Sequence, residues 1–301
     1  MRLPPDLVEL ARLHRLRQQE LARRASAVTA QLWAQVDPAD ALASWQARLG
    51  PAAVRILTAA QVASAFGADD YVAAALAHQN VTDGADGQTS AQALAGIASD
   101  GRPLDTLLEQ PAAHVDELTV GGMDPSAALV AGGLQLARMV VTQVGDAARV
   151  ATGVATVAHR GAHGYIRMLT SPSCSRCVIL AGKFYRTNQG FQRHPLCDCV
   201  HIPAAENLHS PQTSPRAYFD SLNAAEQDKT FTKAGAQAIR DGADPAKVVN
   251  ARRGMQTASD GRLYTTEAAG RRPRIMPEQI YRDAKDRADA IRLLRLHGYI
   301  L

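Results

Sequence analysis

Aromatic residues are scarce in this chain: only 5% of its 301 residues are Phe, Trp or Tyr, although 46% are hydrophobic. That deficit excludes a thick core built on large rings. Alanine supplies much of the apolar content, so thin cores between close-packed helices are expected instead. A dominant charge is lacking too, since 33 Lys and Arg face 29 Asp and Glu, for a formal net charge of +4. A chain so nearly balanced is not a polyanion binder over its whole surface. No apolar run is read as long enough to span a membrane, and no leader-like pattern opens the chain, so synthesis in the cytoplasm is expected. Neither G-x-S-x-G nor H-E-x-x-H occurs, which removes two recognisable hydrolase signatures. No internal repeat is visible.

Cysteine is rare as well, but its placement carries information. All four cysteines, Cys174, Cys177, Cys197 and Cys199, fall in one short stretch, with His194 between the two pairs. A C-x-x-C pair followed by H-x-x-C-x-C has metal-ligand spacing. The first pair can form a knuckle that turns two thiolates toward one ion. Residues two apart on an extended segment share a face, so Cys197 and Cys199 can point together. Four thiolates, or three with the imidazole of His194, complete a tetrahedral Zn²⁺ shell that leaves no open position for a reacting water. The zinc expected here is therefore structural. Two disulfides are the competing arrangement, but nothing else in the chain points to secretion. A thioredoxin-like pair lacks the surrounding βαβ pattern, and free thiols clustered by chance are the plainest alternative.

The segments GYIRMLTSPSCSRCVILAGKFYR and GFQRHPLCDCVHIP resemble the MuF-like minor head proteins of tailed phages, a family typified by protein F of phage Mu. The resemblance lies in the C-x-x-C pair, a short apolar helix with glycine, and the closing His194-Pro195-Leu196-Cys197-Asp198-Cys199. It extends to VVNARRGMQTA and to the C-terminal IRLLRLHGYIL, as in the variant found in phages of actinobacteria, and covers about 164–301. The family resemblance implies a virion protein of the phage head, present in few copies near the portal. Its partners would be the portal protein, the major head protein or the scaffold, and it would aid head assembly or genome delivery. Some similar proteins are described as head maturation proteases, which makes that the alternative function. A zinc protein that binds DNA without sequence preference is a third reading.

The fold expected is mainly α, with an alanine-rich helical region over 1–158 and a MuF-like region over 159–301 that contains a small zinc-stapled α+β unit. Leu7, Leu10, Leu13, Leu16, Leu21 and Val28 mark an apolar stripe on a first helix over 6–36, flanked by Arg12, Arg15, Arg17, Arg23 and Arg24. His14 on that helix reads as a surface residue. Helices are expected over 41–49, 52–66, 69–79, 91–98, 103–108 and 125–158, with a polar loop over 80–89. In the last of these helices, Gly132-Gly133, Gly145 and Gly153 point to close packing or kinks. Strands are expected at 165–170, 183–186 and 200–202, and a short helix at 176–181 stopped by Gly182. Helices return at 215–222, 224–241, 246–253 and 277–295, while 259–274 reads as irregular. His159, His163, His201 and His209 lack partner spacing and read as surface residues with satisfied rings.

Positive charge gathers at the end: residues 251–301 hold eleven Lys and Arg against six Asp and Glu. Arg252, Arg253, Arg271, Arg272 and Arg274, with Arg262, lie mostly outside the final helix and are candidates for contact with packaged DNA or an acidic partner. No groove-reading motif accompanies them, so such binding would be indifferent to sequence. Ser173, Ser210, Ser214 and Ser259 are the serines nearest to candidate bases, yet no spacing singles out a triad. A non-enzymatic role is the reading preferred, with no catalytic residue assigned.

Overall fold

The computed structural model describes residues 3–170, 172–187, 199–208, 213–267 and 273–300. Among the described residues the chain is mainly helical with two small three-stranded sheets. It divides into two compact units, one made of 1–166 and 184–208, the other of 167–183 and 209–301. The division does not fall at 158/159. The chain leaves the first unit inside a strand, returns to it, and leaves again.

The first unit is organised on two long helices, α1 (Pro5–Trp33) and α6 (Pro125–Ala158). Between them in sequence lie α2 (Ala41–Ser44), α3 (Gly50–Ala65), α4 (Ala68–Ala77) and α5 (Leu104–Val120). The buried face of α1 is Leu7, Ala11, Gln18, Ala22, Ala25, Thr29 and Trp33. This corrects the leucine stripe: Leu13 and Leu16 are about half exposed, at 51% and 46%. Small residues won the interface because they let helix axes approach closely and interlock along rows four residues apart. On α6 that row runs through Ala128, Gly132, Leu136, Val140, Val144 and Ala148, and the buried face continues at Ala151 and Ala155.

Glycine makes the closest approach possible. The Trp33 ring lies on Gly132 and Gly133, and its indole N–H donates to the Leu129 carbonyl at 3.0 Å. The Trp45 ring meets Trp33 edge-on, with centroids 5.4 Å apart. Gln18 Nε2 donates to the Ser64 carbonyl (3.1 Å) and Ser64 Oγ to the Val144 carbonyl (2.7 Å), which ties α1, α3 and α6 through buried polar groups. Asp116 of α5 accepts from the backbone N–H of Ala41 and Leu42 at 3.0 Å each, capping α2 from 75 residues away.

Several local expectations give way to packing. The break at Gly50-Pro51 is a π-helical turn, Trp45–Leu49, through which the chain stays helical into α3. The helix ending at 108 runs on to Val120 with Pro111 inside it, because Pro111 is buried against α6. The helix expected over 91–98 is only a 3-10 turn, Gln92–Leu94. By length and composition, Ala41–Ala77 and Pro125–Ala158 are each long and apolar enough to cross a membrane, contrary to the sequence reading. The first of them turns at Gly67, where φ is +82°, and both supply core residues to this unit.

A three-stranded sheet completes the first unit, in the order β2 (Phe184–Arg186), β1 (Gly164–Met168), β3 (Val200–Ala204). β1 and β2 pair antiparallel, Gly164 opposite Arg186. Helix α4 and the turn that follows it hold β3 and the residue after it with side-chain hydrogen bonds. Tyr71 Oη donates to the His201 carbonyl (2.9 Å), Gln79 Nε2 to the Pro203 carbonyl (2.8 Å), and the Ala205 N–H donates to Gln79 Oε1 (3.1 Å).

The second unit contains α7 (Ser175–Leu180), α8 (Pro215–Ser221), α9 (Ala224–Phe231), α10 (Lys233–Arg240), α11 (Pro245–Ala251), α12 (Pro277–Asp283) and α13 (Arg287–Leu296). Its core includes Phe219, Phe231, Ile239, Val248, Val249, Met276, Ile280, Leu294 and Tyr299, all buried. The run expected as one helix over 224–241 breaks at Thr232, whose φ of +68° no α-helix accommodates. The helix expected over 277–295 also breaks, where Asp286 caps α13 by accepting from the Asp289 N–H (2.8 Å). An antiparallel sheet of β4 (Met255–Thr257), β5 (Leu263–Thr265) and β6 (Arg274–Ile275) runs from just before the stretch read as irregular to its end, with β5 inside it. Its strands are too short for alternation to show in the sequence.

Candidate functional site

The first cysteine pair lies in the second unit. Cys174 is the N-cap of α7, and its Sγ accepts the backbone N–H of Cys177 at 3.4 Å. Cys174 is exposed and Cys177 buried. The knuckle is braced on both sides. Before it, the Ser173 N–H donates to the hydroxyl of Tyr218 on α8 (2.7 Å) and Ser173 Oγ donates to the Thr170 carbonyl (2.9 Å). After it, Gly182 takes φ +69° and donates its N–H to the Arg167 carbonyl (3.0 Å). A Cβ at Gly182 would stand 2.0 Å from the Thr213 carbonyl oxygen, so only glycine fits this stop.

Within the knuckle, Arg176 Nη1 donates to Asn250 Oδ1 of α11 at 2.9 Å. This bond joins two segments far apart in sequence, the Cys174-Ser175-Arg176-Cys177 turn and the VVNARR run. The C-terminal segment also enters this unit's core: Leu294 and Tyr299 are fully buried, and the Tyr299 carbonyl accepts the Asp244 N–H at 2.9 Å. Three sequence stretches singled out by resemblance therefore belong to one compact unit.

The other ligand candidates are placed differently. Cys199 is buried in the first unit, just before β3. His194 and Cys197 lie outside the described residues. Among the described residues, no group of three or more His, Cys, Asp and Glu side chains is arranged to hold a metal ion. The chemistry at Cys174 and Cys177 does fit a soft cation. A sulfur accepting a backbone N–H at a helix start, two thiols one helical turn apart, and a guanidinium beside Cys177 (Arg167 Nη2 to Sγ, 3.7 Å) all favour thiolates.

Of the six arginines considered as contacts, Arg252, Arg262 and Arg274 are anchored. Arg252 Nη1 bonds Glu278 Oε1 at 2.7 Å and Thr232 Oγ1 at 3.1 Å. Arg262 pairs with Asp283 at 2.5 Å, and the Arg274 guanidinium stacks 4.9 Å from the Tyr299 ring centroid. Arg253 is exposed. Arg271 and Arg272 lie outside the described residues. The anchoring acids come from α12, which no local pattern near the arginines announces.

Sequence reasoning missed two other polar arrangements. Asp241, with 8% of its surface exposed, accepts from Tyr281 Oη (2.6 Å), Arg287 Nε (2.8 Å) and Gln237 Nε2 (3.1 Å). Burial works to raise its carboxyl pKa, but these bonds and the Arg287 charge outweigh it and hold the pKa below the ordinary value. His14 is not the surface residue expected. It stacks on Tyr71 with centroids 3.9 Å apart. Burial first, then the charges of Arg17 and Arg15, push its pKa from 6.5 to about 4. Among the other histidines, His159 is buried and its Nδ1 accepts the Gly161 N–H (3.3 Å), and the His201 ring stacks on Tyr165 at 4.5 Å. His163 Nδ1 lies 2.8 Å from the Ala205 carbonyl oxygen. His209 lies outside the described residues.

Two of the four serines considered as nucleophiles have local structural work. Ser173 bonds Thr170 as above, and Ser214 Oγ caps α8 by accepting the Ala217 N–H at 3.2 Å. Ser210 lies outside the described residues.

Together these features define a mainly helical protein of two compact units, with a cysteine knuckle and an anchored basic surface in the second. No family model matches the chain, and no curated protein or solved structure is similar to it at a significant level.

Proposed function

We propose that this protein is a minor head protein of a tailed phage, MuF-like, that acts structurally near the portal in head assembly or genome delivery. The observation that carries the reading is the cysteine pattern, Cys174-x-x-Cys177 followed by His194-Pro195-Leu196-Cys197-Asp198-Cys199. It is supported by the way the CSRC turn, VVNARR and the C-terminal segment join one unit through Arg176, Asn250 and Tyr299. In this reading a structural zinc is held by Cys174 and Cys177 with two of His194, Cys197 and Cys199. Thiolate ligands in a closed shell contribute folding energy rather than chemistry. The portal, the major head protein or the scaffold is the partner. Packaged DNA is a further contact through Arg253, Arg271 and Arg272, with Arg252 and Arg274 contributing where their present bonds allow.

The test is recovery of the tagged protein from infected cells, with the copurifying proteins identified. Portal or scaffold should copurify with the native chain and be lost with Cys177→Ser. Incubating the purified protein with head protein and scaffold separates the protease alternative. Specific cleavage abolished by Ser→Ala at 173, 210, 214 or 259 would replace this reading with a head maturation protease.

A further inference from the structure

Helices α10 and α12 of the second unit leave a cleft of about 550 Å³ between them. Lys233, Gln237 and Arg240 line it from α10, and Glu278, Tyr281 and Arg282 from α12. Each set follows the spacing of three or four residues that keeps side chains on one side of a helix. Bonds between the two helices close both ends. At the start of α10, Thr232 Oγ1 donates to Glu278 Oε1 (3.5 Å). At its end, Tyr281 Oη donates to Asp241 Oδ2 (2.6 Å). Thr232 holds φ +68° and ψ 156°, a backbone conformation that suits glycine. It is kept there by its hydroxyl, which also accepts the Gly235 N–H (3.2 Å) and Arg252 Nη1 (3.1 Å). The cleft is therefore preformed, with a strained residue fixing where α10 begins.

The charges on its walls differ in what they already bind. Arg240 is occupied by Asp228 Oδ1 and Gln227 Oε1, each at 2.9 Å. Glu278, the acid in the lining, is occupied by Arg252 (2.7 Å). Asp283, next in the chain to Arg282, pairs with Arg262. Lys233 and Arg282, one on each wall, are exposed and make no hydrogen bond or ion pair among the described residues. Two uncompensated positive charges thus flank a cleft whose own carboxylate is already paired.

We propose that this cleft is a docking site for an acidic segment of a partner protein, whose carboxylates pair with Lys233 and Arg282 across the Tyr281 ring. The proposal is independent of the phage-head reading and of the zinc site. Complementary charge selects such a partner and speeds its arrival, and a preformed cleft spares it the cost of ordering the walls. The eight residues of α10 span about 12 Å, enough for two carboxylates one helical turn apart. A nucleic acid fits less well. Its phosphates form an unbroken negative row, which would meet Glu278 in the lining, Asp228 on Arg240 and Asp283 beside Arg282. A protein segment can place its carboxylates singly and stay neutral between them.

The experiment uses the full chain and a fluorescein-labelled peptide of EALEAAL repeats, with binding read by anisotropy. Native protein should bind it, with affinity falling as salt rises. The QALQAAL counterpart should not bind. Lys233→Glu/Arg282→Glu should bind the acidic peptide roughly 10-fold more weakly and gain affinity for a KALKAAL peptide, with unchanged far-UV circular dichroism. Lys229→Glu/Arg295→Glu, which changes net charge equally at two exposed positions outside the lining, should bind the acidic peptide as native protein does. Should the first double variant misfold, Lys233→Gln and Arg282→Gln decide singly, since each must weaken binding. No binding of the acidic peptide to native protein, equal affinity for the glutamine peptide, or an equal loss in the two double variants would overturn the proposal. Displacement of the peptide by oligothymidylate at lower concentration than by unlabelled peptide would overturn it in favour of a nucleic-acid site. None of these results bears on zinc content or on copurification with the portal, so failure here is distinct from failure of the proposed function.

Discussion

Two glycine-to-alanine changes in the same helix should have opposite effects, and the structure sets their sign. At Gly132 of α6, an added Cβ would stand 2.6 Å from Val115 Cγ2, 2.7 Å from Trp33 Cζ2 and 2.9 Å from the Pro111 carbonyl oxygen. The carbonyl can retreat only if α5 moves, and Trp33 is held by its bond to the Leu129 carbonyl (3.0 Å). Overpacking of this kind costs about 1–3 kcal/mol, and the clash with backbone places Gly132→Ala at the upper end. Replacing a helical glycine returns about 1 kcal/mol of propensity. The net expectation is a destabilisation of about 1–2 kcal/mol. At Gly153, nothing lies within 4 Å of the added Cβ, so Gly153→Ala should gain about 0.5–1 kcal/mol. The two variants should differ by roughly 1.5–3 kcal/mol. Urea denaturation followed by tryptophan fluorescence measures this cleanly. Both tryptophans of the chain, Trp33 and Trp45, are buried in the first unit, so the signal reports that unit alone. Equal stability of the two variants, or a stabilised Gly132→Ala, would refute the packing described for α1, α5 and α6.

Three further outcomes are expected. His14 has a folded pKa depressed from 6.5 to about 4, so its neutral form stabilises the first unit in full above pH 6.5 and is lost as pH falls toward 4. The stake is about 3 kcal/mol, and His14→Gln should flatten the fluorescence-detected stability between pH 7 and 4.5. Asp241→Asn should cost about 2 kcal/mol by weakening the charge-assisted bonds from Tyr281 and Arg287, seen as faster amide exchange in α10 and α12. Because the Asp241 pKa is depressed, its contribution is present above the ordinary carboxylate range and lost as pH falls below it, whereas Asp241→Asn should show no such acid step. Cys177→Ser should release bound zinc and open the Cys174–Gly182 turn to proteolysis while the tryptophan signal of the first unit persists; retained zinc, or unchanged protease resistance after chelation, would contradict the structural role of the site.

The sequence by itself was enough for the mainly helical class, for the two long helices, and for the short helix after the first cysteine pair with its glycine stop. Each is written locally: proline or aspartate at a helix start, glycine after its end, apolar spacing sustained over many turns. The cysteine spacing was likewise legible, and two of its candidate ligands fall outside the residues described. Tertiary structure alone decided which face of each helix is buried. Leucine at 13 and 16 was the stronger hydrophobic signal, yet the buried face of α1 runs through Ala11, Ala22 and Ala25 instead, because close approach of two backbones depends on what is small on both sides at once. It alone decided where helices break or continue, at Thr232 and through Pro111. It brought Arg167 to Cys177, Arg176 to Asn250, and the basic residues Arg252 and Arg262 to acids of α12. Those pairings depend on how distant segments pack, and no local pattern of charge or period encodes a partner tens of residues away.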